Sequence, residues 1–229
     1  MTTILKYIIS IISILAFSIH FVMAQSVILP SAVRIGTDVS KLGIWALNPE
    51  RQQYEINADI DVYKYFLTCD YGGWKTNIPG GDFDYHMNGN YFRAGIDYNF
   101  IYSDKDNHVI FFGLRYALAS YDETLNYNIS DPYYGSSSGL LTKPGGKAHW
   151  IEMVTGLKAH IWKGLYMGWS GRMQFGLSTK SAGDFNSYEI PGFGKSSGGT
   201  SSWELNYNIY YRFEFRKKPR IQPKPEKKK

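Results

Sequence analysis

The stretch WELNYNIYYRFEF, residues 203–215, puts Trp203, Leu205, Tyr207, Ile209, Tyr211, Phe213 and Phe215 at the odd positions. Glu204, Asn206, Asn208, Arg212 and Glu214 take the even ones, and Tyr210 is the one inward aromatic among them. A period of two is that of a β-strand, whose successive side chains point to opposite faces. One face of this strand is apolar and the other is charged. Which of the two meets water decides the fold.

Seven further segments carry the same pattern. VRIGTDV (33–39) sets Val33 and Ile35 against Arg34 and Asp38, and YEINADIDV (54–62) sets Ile56 and Ile60 against Glu55, Asp59 and Asp61. YFLTCDYGG (65–73) carries Asp70 on its polar face, FRAGIDYNFIY (92–102) Arg93 and Asp97, and VIFFGLRYAL (109–118) Arg115. WIEMVTGLKAHI (150–161) adds Glu152 and Lys158, and LYMGWSGRMQFG (165–176) adds Arg172. With the opening stretch these make eight strands, an even number that lets the first pair with the last. The connections after the second, fourth and sixth segments read as tight turns. Those after the first, third, fifth and seventh read as long loops, including GSSSGLLTKPGGK and SAGDFNSYEIPGFGKSSGG.

Glycine settles the orientation. Gly36, Gly72, Gly95, Gly113, Gly156, Gly168 and Gly176 all share the charged face. A solvated outer face has no use for strand glycines, which weaken a strand; the narrow interior of an eight-stranded barrel needs small residues beside long charged ones. The aromatic face then points to lipid. The expected fold is all-β, an eight-stranded antiparallel up-and-down transmembrane barrel. Its lumen should hold a polar network of Arg34, Asp38, Glu55, Asp59, Asp70, Arg93, Asp97, Arg115, Glu152, Lys158, Arg172, Glu204 and Arg212, paired by charge because isolated buried charges are costly.

The rest of the chain agrees with an exported barrel. At 229 residues it suits one domain, and 19 Tyr and 23 Gly favour strands and turns over helices. Residues 1–24 read as a signal peptide: Lys6, an apolar run, then Val22-Met23-Ala24 before Gln25. Cys69 stands alone, which excludes an intrachain disulfide. The net charge of +5 belongs to the tail RKKPRIQPKPEKKK, which holds eight of the 25 Lys and Arg and one of the 20 Asp and Glu. The domains expected are a signal peptide (1–24), a barrel (25–215) and a basic periplasmic tail (216–229).

RIGTDVSK (34–41), FFGLRYAL (111–118) and GLYMGWSGRMQF (164–175), with the terminal IYYRFEF, resemble the small outer-membrane β-barrels of Gram-negative bacteria, in particular a Bacteroidota barrel family related to the PorT-like barrels. The resemblance implies an outer-membrane location. The tail beyond Phe215 departs from it, since such barrels usually end on the aromatic of the last strand.

Chemistry-bearing motifs are sparse. Asp82-Phe83-Asp84-Tyr85-His86 has metal-ligand types in a loop, and Gly194-Lys195-Ser196 echoes a phosphate loop but has Glu189 where the first glycine belongs. No metal, cofactor or catalytic set is expected. A lipid-modifying enzyme would need a His, a Ser and an acid at the outer rim, and His149 has no Ser-containing motif beside it. The expected role is that of a non-catalytic scaffold or accessory subunit of an envelope assembly or secretion complex. The alternatives are a small lipid-modifying enzyme and an exported soluble ligand-binding barrel. The expected partners are outer-membrane lipid and a periplasmic or outer-membrane protein met through the long loops or through Arg216, Lys217, Lys218 and Arg220; nucleic acid is not among them.

Overall fold

The computed structural model describes residues 29–133, 135–178, 186–195 and 200–216. The segment read as a signal peptide and the tail residues Lys217, Lys218 and Arg220 lie outside them. Eight long strands form one closed ring: β1 (Ala32–Asp38), β2 (Arg51–Val62), β3 (Tyr65–Pro79), β4 (Phe83–Asn99), β5 (Val109–Asp131), β6 (Gly135–Trp162), β7 (Leu165–Ser178) and β10 (Ser201–Glu214). Every pairing is antiparallel between sequence neighbours, and β1 against β10 closes the ring. A small hairpin, β8 (Glu189–Ile190) with β9 (Gly194–Lys195), lies between β7 and β10.

The register gives the barrel's dimensions. From Phe213 the ladder runs through Val33, Ile60, Leu67, Ile96, Leu114, Met153 and Met173 to Trp203, returning to β10 ten residues from its start. Eight strands with a shear of ten tilt by about 40° and enclose a cylinder of radius about 8 Å, taking ordinary strand spacings. Every residue in this outward row is apolar. The next row along is inward and polar, from Arg212 through Arg34, Asp59, Thr68, Gly95, Arg115, Glu152 and Gln174 to Ser202. Leu114 is 55% exposed while Arg93 is fully buried. A fold with its hydrocarbon outside and its charges inside is a transmembrane barrel. No described helix is long and apolar enough to cross a membrane; the strands cross instead.

The inward glycines serve close packing. A methyl group on Gly36 would collide with the ring of Tyr210, one on Gly72 with Tyr91, and one on Gly113 with the Asp97 carboxylate. Tyr210, the inward aromatic of the opening stretch, is buried over two of these gaps, at Gly36 and Gly168.

The connections differ from the sequence reading in four places. After β1 comes a nine-residue helix, α1 (Val39–Leu47), where a loop was expected. Asp38 caps it, accepting from the Ser40 and Lys41 backbone N–H groups at 2.9 and 3.4 Å. The expected long loops after β3 and β5 contract to residues 80–82 and 132–134, because their Gly-, Ser- and Asn-rich flanks continue the strands. The turn after β4, read as tight, spans residues 100–108. The reason for the long strands is visible on β5. Ile110, Phe112, Leu114, Tyr116 and Leu118 face out, and on the same face Ser120, Asp122, Thr124 and Asn126 follow. The apolar part climbs about 20 Å at this tilt, close to the hydrocarbon band of such barrels; the polar part stands beyond it. The ladder carries on where the hydrophobic signal stops.

Candidate functional site

The interior of the barrel is a lattice of ion pairs, built because adjoining strands bring inward side chains of opposite sign within reach. At the level of Phe66, Asp59 receives Arg34 Nε at 2.8 Å and Lys158 Nζ at 2.7 Å. The Arg34 guanidinium lies 4.2 Å from the centre of the Phe66 ring, and Lys158 Nζ sits about 5 Å from the rings of Phe66, Phe111 and Tyr210. One level up, Arg115 donates to Asp70 at 2.6 Å and to Asp97 at 3.0 Å. At the turn end Arg212 reaches Glu214 at 2.9 Å and Asp61 at 3.9 Å.

The densest part surrounds Glu55. Its carboxylate accepts from Arg93 Nη1 at 2.7 Å, Arg172 Nη2 at 2.8 Å, Tyr91 Oη at 2.6 Å and Asn57 Nδ2 at 2.8 Å, and it pairs with Lys41 Nζ. Lys41 and Arg93 are shared with Glu204, at 2.7 and 3.1 Å, and Glu152 takes Arg93 Nε at 2.8 Å. Asp38 accepts from Asn206 Nδ2 at 2.6 Å. All thirteen residues read from strand parity as lumenal therefore lie within the barrel; Glu204 is the least enclosed of the group around Glu55, its side chain 20% exposed.

Two segments that lack strand periodicity complete the lattice. Helix α1 drops Lys41 into the mouth of the barrel, where it is 3% exposed. The β8–β9 hairpin descends from the last long loop and buries Ile190 and Phe193 against Tyr85, Met87, Tyr91, Tyr121 and Trp150. At its tip Gly192 adopts φ 76° and its carbonyl accepts from Arg93 Nη2 at 2.7 Å and Gln174 Nε2 at 2.8 Å. A side chain on Gly192 would meet the Tyr91 ring as well as the strained φ. Glu189 anchors the hairpin through Arg51 at 2.7 Å and Thr76 Oγ1 at 2.9 Å. Sequence parity could not find these groups. The signal for Lys41 is Asp38-Val39-Ser40-Lys41, a helix start hidden in a polar connection; Gly192 has no such signal.

Above the band, Tyr85 donates to Glu123 at 2.6 Å, and burial, then that hydrogen bond, raise its pKa well beyond that of a free tyrosine. Within the Asp82–His86 motif, Asp84 and His86 share one face of β4, opposite to Tyr85. Tyr85 points in, while His86 lies on the opposite face with Nδ1 3.0 Å from Asn77 Oδ1. Two other groupings of metal-ligand types exist among the described residues: Asp38, Glu55 and Glu204, already paired with Lys41, Arg93 and Arg172, and Asp104, Asp106 and His108 in the turn after β4. His149 Nδ1 meets Tyr116 Oη at 3.1 Å on the exposed face. Glu189 is buried on β8 and pairs across the hairpin with Lys195, so a buried carboxylate stands where a phosphate loop has its first glycine; Ser196 lies outside the described residues. Of the tail, Arg216 is described and exposed, its N–H on the Ser31 carbonyl at 3.1 Å.

A closed ring of eight strands, ionic within and hydrocarbon without, defines a small transmembrane β-barrel with a filled interior. The chain belongs to the family of the domain of unknown function DUF6048, whose model matches residues 4–218. Comparison with curated proteins gives no match. Among solved structures the chain is similar to Acinetobacter baumannii CarO2, at 11% identity and TM-score 0.46, covering 82% of this chain and 99% of that one. It is also similar to Neisserial surface protein A, at 11% identity and TM-score 0.41, covering 80% and 96%. The N-terminal β-barrel domain of Pseudomonas aeruginosa OprF matches at 12% identity and TM-score 0.37, covering 81% and 100%.

Proposed function

We propose that the chain is a non-catalytic barrel of the outer membrane, exported by a cleaved signal peptide, and that it serves as a scaffold or accessory subunit of an envelope assembly. The observation that carries this reading is the occupied interior. Arg93, Arg172 and Lys41 are spent on Glu55, Glu152 and Glu204, and the β8–β9 hairpin lies over them. With the interior taken up by these pairs and by the hairpin, this reading assigns the work to the outer wall, the tall β5–β6 hairpin and the basic tail. The apolar belt supports the membrane location, and the closed strand ring supports the outer membrane in particular, where single-chain barrels are found. The proposed membership of a Bacteroidota, PorT-like group rests on the sequence motifs alone.

Two measurements test the reading. In membrane fractions the chain stays with the pellet through carbonate and migrates faster unheated than boiled; release by carbonate overturns it. In mild detergent the full chain co-purifies with a partner protein that is lost when residues 216–229 are deleted. Recovery of a lone barrel both with and without the tail removes the scaffold role and leaves the barrel reading standing.

A further inference from the structure

At the turn end of the barrel a cavity of about 510 Å³ opens between the β2–β3 turn and residues 100–108. Lys64, Tyr98, Asn99, Phe100, Ile101, Tyr102, Ser103 and Asp104 line it. Its volume is in the range of small-molecule sites. Its position is unusual in that one wall belongs to the lipid belt. Phe100 is 62% exposed and its N–H binds the carbonyl of Ile110, the lowest residue of the outward apolar row on β5. Tyr98 stacks edge-on between Phe100 and Tyr65, with centroids at 5.2 and 5.4 Å. Aromatic rings at this level belong to the interfacial girdle, where lipid headgroups begin.

The two charged groups of the lining have opposite sign. Lys64 Nζ rests over the Tyr63 ring at 5.6 Å and makes no ion pair among the described residues. Asp104 is half-buried; one of its carboxylate oxygens accepts the His108 N–H at 2.9 Å, and its carboxylate stands in a group with Asp106 and His108. A cation and a group of carboxylates joined by an aromatic wall that runs into the bilayer are complementary to a headgroup carrying one charge of each kind.

We infer that this cavity is a binding site for phosphatidylethanolamine: the phosphate against Lys64, the primary ammonium against Asp104, and the acyl chains along Phe100 and Ile110. The inference rests on the membrane reading above. An anionic headgroup such as phosphatidylglycerol satisfies Lys64 but meets the Asp104 carboxylate with like charge. A phosphatidylcholine head satisfies the charges but has no N–H to donate to a carboxylate.

The test is native mass spectrometry of the full chain in detergent micelles doped with equal amounts of phosphatidylethanolamine, phosphatidylglycerol and phosphatidylcholine of identical acyl chains. Wild type retains phosphatidylethanolamine over both others. Lys64→Gln and Asp104→Asn each lower that adduct by about fivefold, the equivalent of one partly exposed ion pair. Asp104→Asn also removes the preference over phosphatidylglycerol, while Asp106→Asn, the same charge change outside the lining, leaves it. Equal retention of the three lipids by wild type, or adducts indifferent to both lining variants, overturns the site. All variants are first run unheated on a gel: loss of the fast-migrating form by wild type would remove the membrane reading itself, whereas retention of that form with indifferent lipid binding removes the site alone.

Discussion

The lower and upper parts of this barrel are built on opposite rules, although the same strands run through both. On β5 the outward side chains from Ile110 to Leu118 are apolar and the wall encloses Arg115; two residues higher the outward side chains become Ser120 and Asp122 and the wall encloses Tyr121. On β4 the switch falls between Asn90 and Phe92, with Tyr85 and Met87 buried inside above it and Arg93 and Asp97 buried inside below. The upper part is therefore polar without and largely apolar within, mounted on a membrane fold, ionic within. The backbone marks the change on some strands only: the β5–β6 pairing shifts register between Tyr121 and Glu123 and the β6–β7 pairing between His149 and Trp150. The ladder of β4 to β5 continues without a register shift from Asn99–Phe111 to Phe83–Tyr127, so the reversal records a change of solvent along one continuous sheet.

The sharpest way to break the contrast is to remove the anion at the centre of the lower part. Glu55→Ala leaves Arg93, Arg172 and Lys41 facing one another in a buried space. The expected loss is about 3–5 kcal/mol in urea unfolding from detergent or vesicles. A loss below 1 kcal/mol would mean that water reaches the lattice.

The second test compares one substitution on the same outer face six residues apart. Leu114→Arg places a charge in the middle of the apolar belt and should cost about 2–4 kcal/mol, as for lipid-facing sites near a bilayer midplane. Ser120→Arg, beyond the belt, should change stability by no more than about 0.5 kcal/mol. Equal effects at the two positions, measured by unfolding in vesicles, would erase the boundary between the parts.

This boundary also divides what the sequence made legible. Below it, alternation is strong and strand parity assigns a face to every residue from Arg34 to Arg212; the closed ring and its eight strands follow. Above it the outer face is Asn, Ser, Asp and Thr, types that also make loops, so residues 119–149 read as a loop although they form two paired strands. The interior groups that escaped, Lys41, Gly192, Ile190 and Phe193, all come from α1 and the β8–β9 hairpin, where no period links neighbours. Their place is fixed by tertiary contact, through Asp38 capping the helix and Arg51 holding Glu189.

In the upper part the buried polar groups, among them Thr76, Glu123, Lys143 and Glu189, sit beside a cluster of buried aromatics, and removal of one hydrogen bond there should cost less than removal of Glu55. Tyr85→Phe deletes the donor that serves Glu123 at 2.6 Å but keeps the ring packed against Tyr188, at 5.5 Å in an edge-on contact. The Tyr188 N–H still reaches Glu123 at 3.2 Å. A loss of about 1–2 kcal/mol is expected, the cost of leaving one buried acceptor underserved. Hydrogen exchange should show it confined to β4, β5 and the β8–β9 hairpin, with the amides beside Glu55 unmoved. Spread of the effect into the lower lattice would mean that the two parts do not unfold as separate units.

The smallest effect belongs to the turn end, furthest from the switch. Lys163 holds φ 49° in the two-residue connection between β6 and β7, in the left-handed region that disfavours a side chain. Its ammonium rests 4.4 Å from the centre of the Trp162 ring, an exposed contact at the rim of the belt. Lys163→Gly relieves the backbone and removes the cation. Relief of a left-handed residue gives about 1 kcal/mol, and loss of an exposed cation over an aromatic ring costs about 0.5–1 kcal/mol, so the two offset in vesicles of neutral lipid. Lys163→Asn and Lys163→Arg separate them: Asn keeps the favourable conformation without the cation, and Arg keeps the cation without the conformational relief. If both match wild type within about 0.3 kcal/mol in neutral vesicles but Asn alone falls behind wild type in anionic ones, then Lys163 is a headgroup contact, and the turn end, like the belt above it, is written for lipid.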